Sequence, residues 1–174
     1  GHVSSDSAEE TLHFLKRYHV RSKLNAVEFD KVRVRVAASA FLEGNDELAY
    51  RIADEISSRH ARYVPLADWY AGLSAWRQGH YANAARHFKR LSETNSAGDW
   101  SKAAGGFWAA RAYLADHDPE RVAPMLERAA ATGATFYGLL ATRQLGRKID
   151  IDWVQPELNQ KSFRALIANK FFFF

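Results

Sequence analysis

The chain has 174 residues, of which 47% are hydrophobic and 25% charged, so it is long enough to form one globular domain and too apolar to be a disordered segment. No run approaches the roughly 20 apolar residues of a membrane span, and the absence of cysteine excludes disulfides, thiolate metal sites and cysteine nucleophiles. The formal charge is +4, yet Lys and Arg are spread along the chain with no nucleic-acid motif beside them, so the charge reads as a solvated surface and no nucleic-acid partner is expected.

The elements read as helices throughout. Ser7 with Glu10 makes a capping box ahead of Leu12, Phe14 and Leu15, which opens a helix over 7–18. The next helix, over 26–43, contains KVRVRV at 31–36, the one stretch with period-2 alternation. That stretch lies inside a longer helical pattern of Phe29, Val32, Val36 and Ala40, and no strand is expected. Further helices follow over 46–59, 65–78, 81–93, 99–116, 119–131, 134–145 and 159–170. Gly44, Gly79 and Gly146 each stand where a helical pattern stops. At the chain ends, Gly1-His2 resembles the scar of a cleaved expression tag, so any export signal is expected upstream. Phe171 to Phe174 read as a truncation point or tail of doubtful register, not a membrane anchor.

Helices joined by short turns call for a search for repeats. Small residues at Ala37, Gly72 and Ala110 are each followed by a turn and a second helix starting at Asp46, Tyr81 or Pro119. Then come Ala49, Ala84 and Val122, and after them Ala53, Phe88 and Leu126, so that equivalent positions stand 35 and then 38 residues apart. Antiparallel helices approach closely only where side chains are small, which predicts Gly72 facing Ala84, with Phe88 and Leu91 filling the space towards the next pair. The middle unit, with Gly72, Gly79, Tyr81, Ala84 and Phe88, fits the tetratricopeptide spacing best. The expected fold is therefore all-α, a superhelical array of antiparallel helix pairs formed by degenerate tetratricopeptide-like repeats; an irregular helical bundle is the alternative. As one helical-repeat domain over 1–174, it divides into an N-terminal helix and linker (1–25), about three units plus a further helix (26–146), and a loop, final helix and tail (147–174).

Catalytic motifs are missing from this pattern. There is no Gly-rich phosphate loop, HExxH or GxSxG, and histidines such as His13, His60, His80, His87 and His117 lack ligand spacing. Neither a metal nor a cofactor is expected. The acidic pairs Glu9 with Glu10 and Asp150 with Asp152 read as solvated helix starts and loops.

Aromatics are the one compositional excess, with five Trp, seven Tyr and eleven Phe. Trp69, Leu73 and Trp76 fall on one helix face at i, i+4 and i+7, and Phe107 with Arg111 extends that stripe into the next unit. First helices line the concave side of a superhelical array, which makes these five residues a candidate ligand groove. The commoner use of aromatics at this spacing is core packing between helices.

The segment from about Tyr63 to Trp153 resembles the helical superhelix of soluble lytic murein transglycosylases. The resemblance rests on Phe107-Trp108-Ala109-Ala110-Arg111-Ala112, the turn near Pro119, Ala129-Ala130, and Thr135-Phe136-Tyr137-Gly138-Leu139-Leu140-Ala141 with Leu145-Gly146. It covers about half the chain and implies a periplasmic protein whose partners are peptidoglycan glycan strands or another envelope protein. In that family a lysozyme-like domain follows, with its glutamate in a Glu-Ser motif and a later Gly-Leu-Met-Gln motif. Neither motif occurs here: Glu43 precedes Gly44, Glu47 precedes Leu48, and Met125, the only methionine, lies between Pro124 and Leu126. The resemblance therefore implies a non-catalytic superhelical portion with no catalytic residue of its own. A tetratricopeptide-type protein-binding scaffold is the competing expectation.

Overall fold

The computed structural model describes residues 8–15, 17 and 24–149, and among these every regular element is helical. Helix α1 spans Ala8–Leu15, α2 Ala26–Leu42, α3 Asp46–His60, α4 Pro65–Arg77, α5 Tyr81–Glu93 and α6 Asp99–Ala115. A 3-10 turn, Pro119–Arg121, leads into α7, Val122–Ala130, and α8 spans Phe136–Gln144. The expected helix over 119–131 thus begins as a tighter turn, Pro119–Arg121, before regular α-helix starts at Val122. Ser7, the helix over 159–170, the Asp150 and Asp152 pair and the 171–174 tail lie outside the described residues.

Helix starts are chemically explicit. Asn25 and Glu28 close a capping box at α2: the Asn25 side chain accepts from Glu28 N at 2.9 Å, and Glu28 Oε2 accepts from Asn25 N at 3.0 Å. Asn45 caps α3 by accepting from Leu48 N, and Thr135 caps α8 by accepting from Gly138 N at 3.0 Å.

The ends of α2, α4, α6 and α8 share one device. Gly44, Gly79, His117 and Gly146 take positive φ of 84°, 74°, 61° and 72°. The residue after each donates back five positions, from Asn45 N to Ala40 O, His80 N to Ala75 O, Asp118 N to Tyr113 O and Arg147 N to Thr142 O. These bonds satisfy carbonyls that the helix end leaves open, and after α2, α4 and α6 the chain turns back into the helix that follows.

From α2 onward each helix packs on the one before and the one after it, and α2 also reaches α4, as α6 reaches α8. Two apolar clusters result. One joins α1 to α4 around Val34, Leu48, Ile52 and Ile56; the other joins α4 to α8 around Phe88, Phe107, Met125 and Leu126. Alanine fills much of both, which lets helix axes come close without voids.

The closest approaches are made at glycines. Gly72 meets the ring of Phe88 on α5, where a Cβ would stand 2.5 Å from a ring carbon, so its nearest neighbour is Phe88 and not the expected Ala84. Adjacent Gly105 and Gly106 face opposite neighbours: a Cβ on Gly105 would lie 2.7 Å from Phe88 O on α5, and one on Gly106 would lie 2.9 Å from Met125 O on α7. This places α6 backbone-to-backbone between α5 and α7. Gly138 is close to Gly133 O and Thr135 Oγ1, its own entry turn, and so serves the cap of α8 and not a neighbouring helix.

Candidate functional site

Two polar clusters lie inside the helix layers, and sequence spacing pointed to neither. Asp30, buried on α2, accepts from Arg33 at 2.9 Å and from Arg59 at 3.3 Å on α3, and its other oxygen lies 2.7 Å from His60 Nδ1. Arg33 also pairs with Glu55. These charges line a cleft of 480 Å³ with Leu24, Ala26 and Phe29. Each charge in it already has an opposite partner, so the cluster ties α2 to α3.

The second cluster joins three helices. Asp68 of α4 accepts from Ser57 Oγ on α3 at 2.6 Å and from Arg90 on α5 at 2.7 Å, while His87 Nδ1 lies 2.8 Å away. Arg90 also donates to Ser57 Oγ. Burial alone pushes the Asp68 carboxyl up, but the hydrogen bonds from His87, Arg90 and Ser57 outweigh it and hold the group below the usual carboxylate range. His87 Nε2 lies 3.1 Å from Asp54, and Tyr50 packs edge-on to the imidazole at 5.8 Å. Burial, followed by the Asp54 charge, raises the Tyr50 hydroxyl above its ordinary value. Ser, His and Asp meet here, but the serine hydroxyl bonds the carboxylate and not the imidazole, and Ser57, Asp68 and His87 are all buried. No attack on a substrate can start from that geometry. Signals for both clusters existed, as charged residues on otherwise apolar helix faces, but only the fold brings residues 30 positions apart together.

The aromatic stripe behaves differently along its length. Trp69, Leu73 and Trp76 are half-buried on one face of α4. Trp69 meets Phe88 edge-on at 5.7 Å, and Trp76 meets Tyr81 at 5.1 Å and Trp108 at 5.5 Å, both edge-on. Phe107 is buried and packs against Tyr137 at 5.4 Å, which places it in the core of the second cluster and not on a groove wall. Arg111 is exposed, with its guanidinium carbon 5.7 Å from the Trp76 ring centre and 5.2 Å from that of Trp108. Of the five expected residues, the fold brings Trp76 and Arg111 together.

These two line a 310 Å³ cleft with Ala110, Leu114, Val122 and Gln144. Among the described residues no carboxylate pairs with Arg111, unlike Arg33, Arg59, Arg77 and Arg90. Among the described residues, the cleft wall carries an indole, a guanidinium, a primary amide and an exposed leucine, with no carboxylate, imidazole or hydroxyl. That inventory suits binding through stacking and one charge-assisted hydrogen bond, and it offers no group for proton transfer.

Trp69 belongs to a second, 140 Å³ concavity shared with Leu66, Leu91, Trp100, Ser101 and Ala104. Sequence reading had not singled out Trp100, although its i+7 spacing to Phe107 and again to Leu114 was legible. The chain has no significant match among protein-family models, curated proteins or solved structures.

Proposed function

We propose that this chain is the non-catalytic helical array of a periplasmic peptidoglycan lytic transglycosylase, and that the face carrying Trp76 and Arg111 holds glycan strands. The array is a right-handed superhelix of degenerate helix pairs with its first helices, α2, α4 and α6, on the concave side. Two features support that arrangement: the turns at Gly44, Gly79 and His117 keep the 35- and 38-residue spacing, and packing is almost wholly between sequence neighbours.

The observation that carries the ligand assignment is the Arg111 guanidinium over two indoles, with no carboxylate partner among the described residues. A cation held ready over aromatic faces, beside the Gln144 amide, complements a sugar bearing a carboxylate, and lactyl-peptide substituents on peptidoglycan supply one. The role is positioning. Cleavage belongs to a parent enzyme whose lysozyme-like domain carries the Glu-Ser and Gly-Leu-Met-Gln motifs.

Titration with soluble muropeptides, followed by tryptophan fluorescence, tests the reading. Wild type is expected to give a saturable change that Trp76→Ala abolishes and Arg111→Gln weakens at least fivefold; no change in wild type would overturn it. The parent assignment is tested by reading the gene beyond residue 174 for the two motifs.

A second reading rests on the exposure of Leu114 in the cleft and Leu66 beside Trp69. Apolar residues there suit the groove of a tetratricopeptide-type scaffold that binds a protein segment. That reading predicts no response to muropeptides.

A further inference from the structure

In the charged cleft between α2 and α3, Glu55 balances the arginines without satisfying them. One of its oxygens accepts from Arg33 Nη2 and the other lies 3.2 Å from Arg59 Nη2. Divided in this way, it cannot give Arg33 the parallel pair of acceptors that one edge of a planar guanidinium takes from a carboxylate. Arg33 Nε is left with no hydrogen-bond partner among the described residues, although the atom is buried and the residue is only 5% exposed. A buried N–H without an acceptor is costly to keep, and at the wall of a cleft it is a donor waiting for a ligand.

The remaining groups differ in their freedom to move. Asp30 is fully buried and held by Arg33, Arg59 and His60, so it fixes both guanidiniums in place. The Glu55 side chain is 50% exposed and can turn into solvent. Its departure leaves two guanidiniums against the one carboxylate of Asp30, a deficit of one negative charge. Around that deficit stand Leu24, Ala26 and Phe29, the last with its ring centre 5.7 Å from the Arg33 guanidinium carbon. The cleft volume of 480 Å³ is within the range of sites that take small organic ligands. It shares no lining residue with the cleft of Trp76 and Arg111.

We infer that this cleft is a binding site for a small organic monocarboxylate with an apolar body. The ligand carboxylate displaces Glu55 from Arg33 and Arg59 and accepts the Arg33 Nε–H, while its apolar part lies against Phe29 and Leu24. Charge stays balanced, because one carboxylate enters as another swings into water; a phosphate dianion would overshoot. Glu55 is then an internal stand-in that any ligand must outcompete, and its tether gives it a high effective concentration.

Calorimetric titration of the 174-residue chain with benzoate, and with benzamide as its uncharged isostere, tests the inference. Benzoate is expected to bind saturably and benzamide at least tenfold more weakly. Glu55→Gln removes the competitor and should bind benzoate at least fivefold tighter than wild type. Glu47→Gln, which makes the same change of net charge at the exposed start of α3, should match wild type. Arg59→Gln should weaken benzoate at least fivefold. Circular dichroism spectra matching wild type establish that the variants are folded. Absence of benzoate binding in both wild type and Glu55→Gln, equal affinity of Glu55→Gln and Glu47→Gln, a folded Arg59→Gln protein that binds as wild type does, or benzamide binding as tightly as benzoate would each overturn the assignment.

Discussion

A Cβ placed on Gly72 would stand 2.5 Å from the ring of Phe88, and that ring cannot retreat, because Trp69 and Trp108 pack on it at 5.7 and 5.9 Å. Gly72→Ala is therefore an overpacking change, expected to cost about 1–3 kcal/mol in urea unfolding even though Ala favours helix. Adding Phe88→Leu should recover part of the loss. Gly105→Ala should cost more, since the atoms it meets, Phe88 O and Ser92 N, are backbone and cannot change rotamer. Equal stability of wild type and Gly72→Ala would show that α4 and α5 are not packed as described.

Asp68 makes folding pH-dependent in a specific window. Its folded-state pKa lies below the unfolded value of about 3.9, so its contribution is complete above that pH and drains away as pH falls through the lower folded value. Asp68→Asn leaves Arg90 and His87 without their carboxylate and is expected to cost about 2–3 kcal/mol at pH 7. Denaturant midpoints measured from pH 7 to pH 2 should show wild type converging on the variant at the acid end. A gap independent of pH would refute the ionised, hydrogen-bonded Asp68.

His117 is the one described non-glycine residue with positive φ, at 61°, and its side chain is exposed. It occupies the position that glycine fills at residues 44, 79 and 146. His117→Gly relieves the Cβ strain of the left-handed conformation at some cost in unfolded-chain entropy, for an expected net gain of about 0.5–1 kcal/mol. Thermal unfolding read by circular dichroism checks the sign.

Ser74, fully buried on α4, has a hydroxyl with no hydrogen-bond partner. Ser74→Ala removes an unsatisfied polar atom and substitutes the strongest helix former, so stability should rise by about 1 kcal/mol. A loss of that size would mean that the hydroxyl has a bonding partner, such as an internal water.

Local chemistry explains what was legible beforehand. Helix bounds over 46–59, 65–78 and 81–93 come within a residue of the observed ones, because capping residues, Pro65 and the turn glycines act within one or two turns of chain. The Asn25 and Glu28 capping box carries the same kind of local signal in an Asn-x-x-Glu pattern. The His117 turn gave no glycine cue at all, and its left-handed conformation is imposed by the junction between α6 and the 3-10 turn.

The candidate site was legible in part, for the same reason. Trp69, Leu73 and Trp76 share a face by helical period alone, and Arg111 was reached by extending that stripe. Period places a residue on a face but does not say what stands opposite. Phe107 has the same credentials as Trp76, yet it is covered by Tyr137, while Trp76 borders open space beside Arg111 and Leu114.

By itself, then, the sequence determined the all-helical class, the order of the helices and which residues share a helix face, since those depend on interactions between residues a few positions apart. Only tertiary structure decided that Asp68 would be sealed against Ser57, His87 and Arg90, that Gly105 and Gly106 would serve opposite neighbours, and that Trp100 would stack on Phe136. Those outcomes depend on how far apart, and at what rotation, helices distant in sequence come to rest, and that is set by side-chain volume at every contact together.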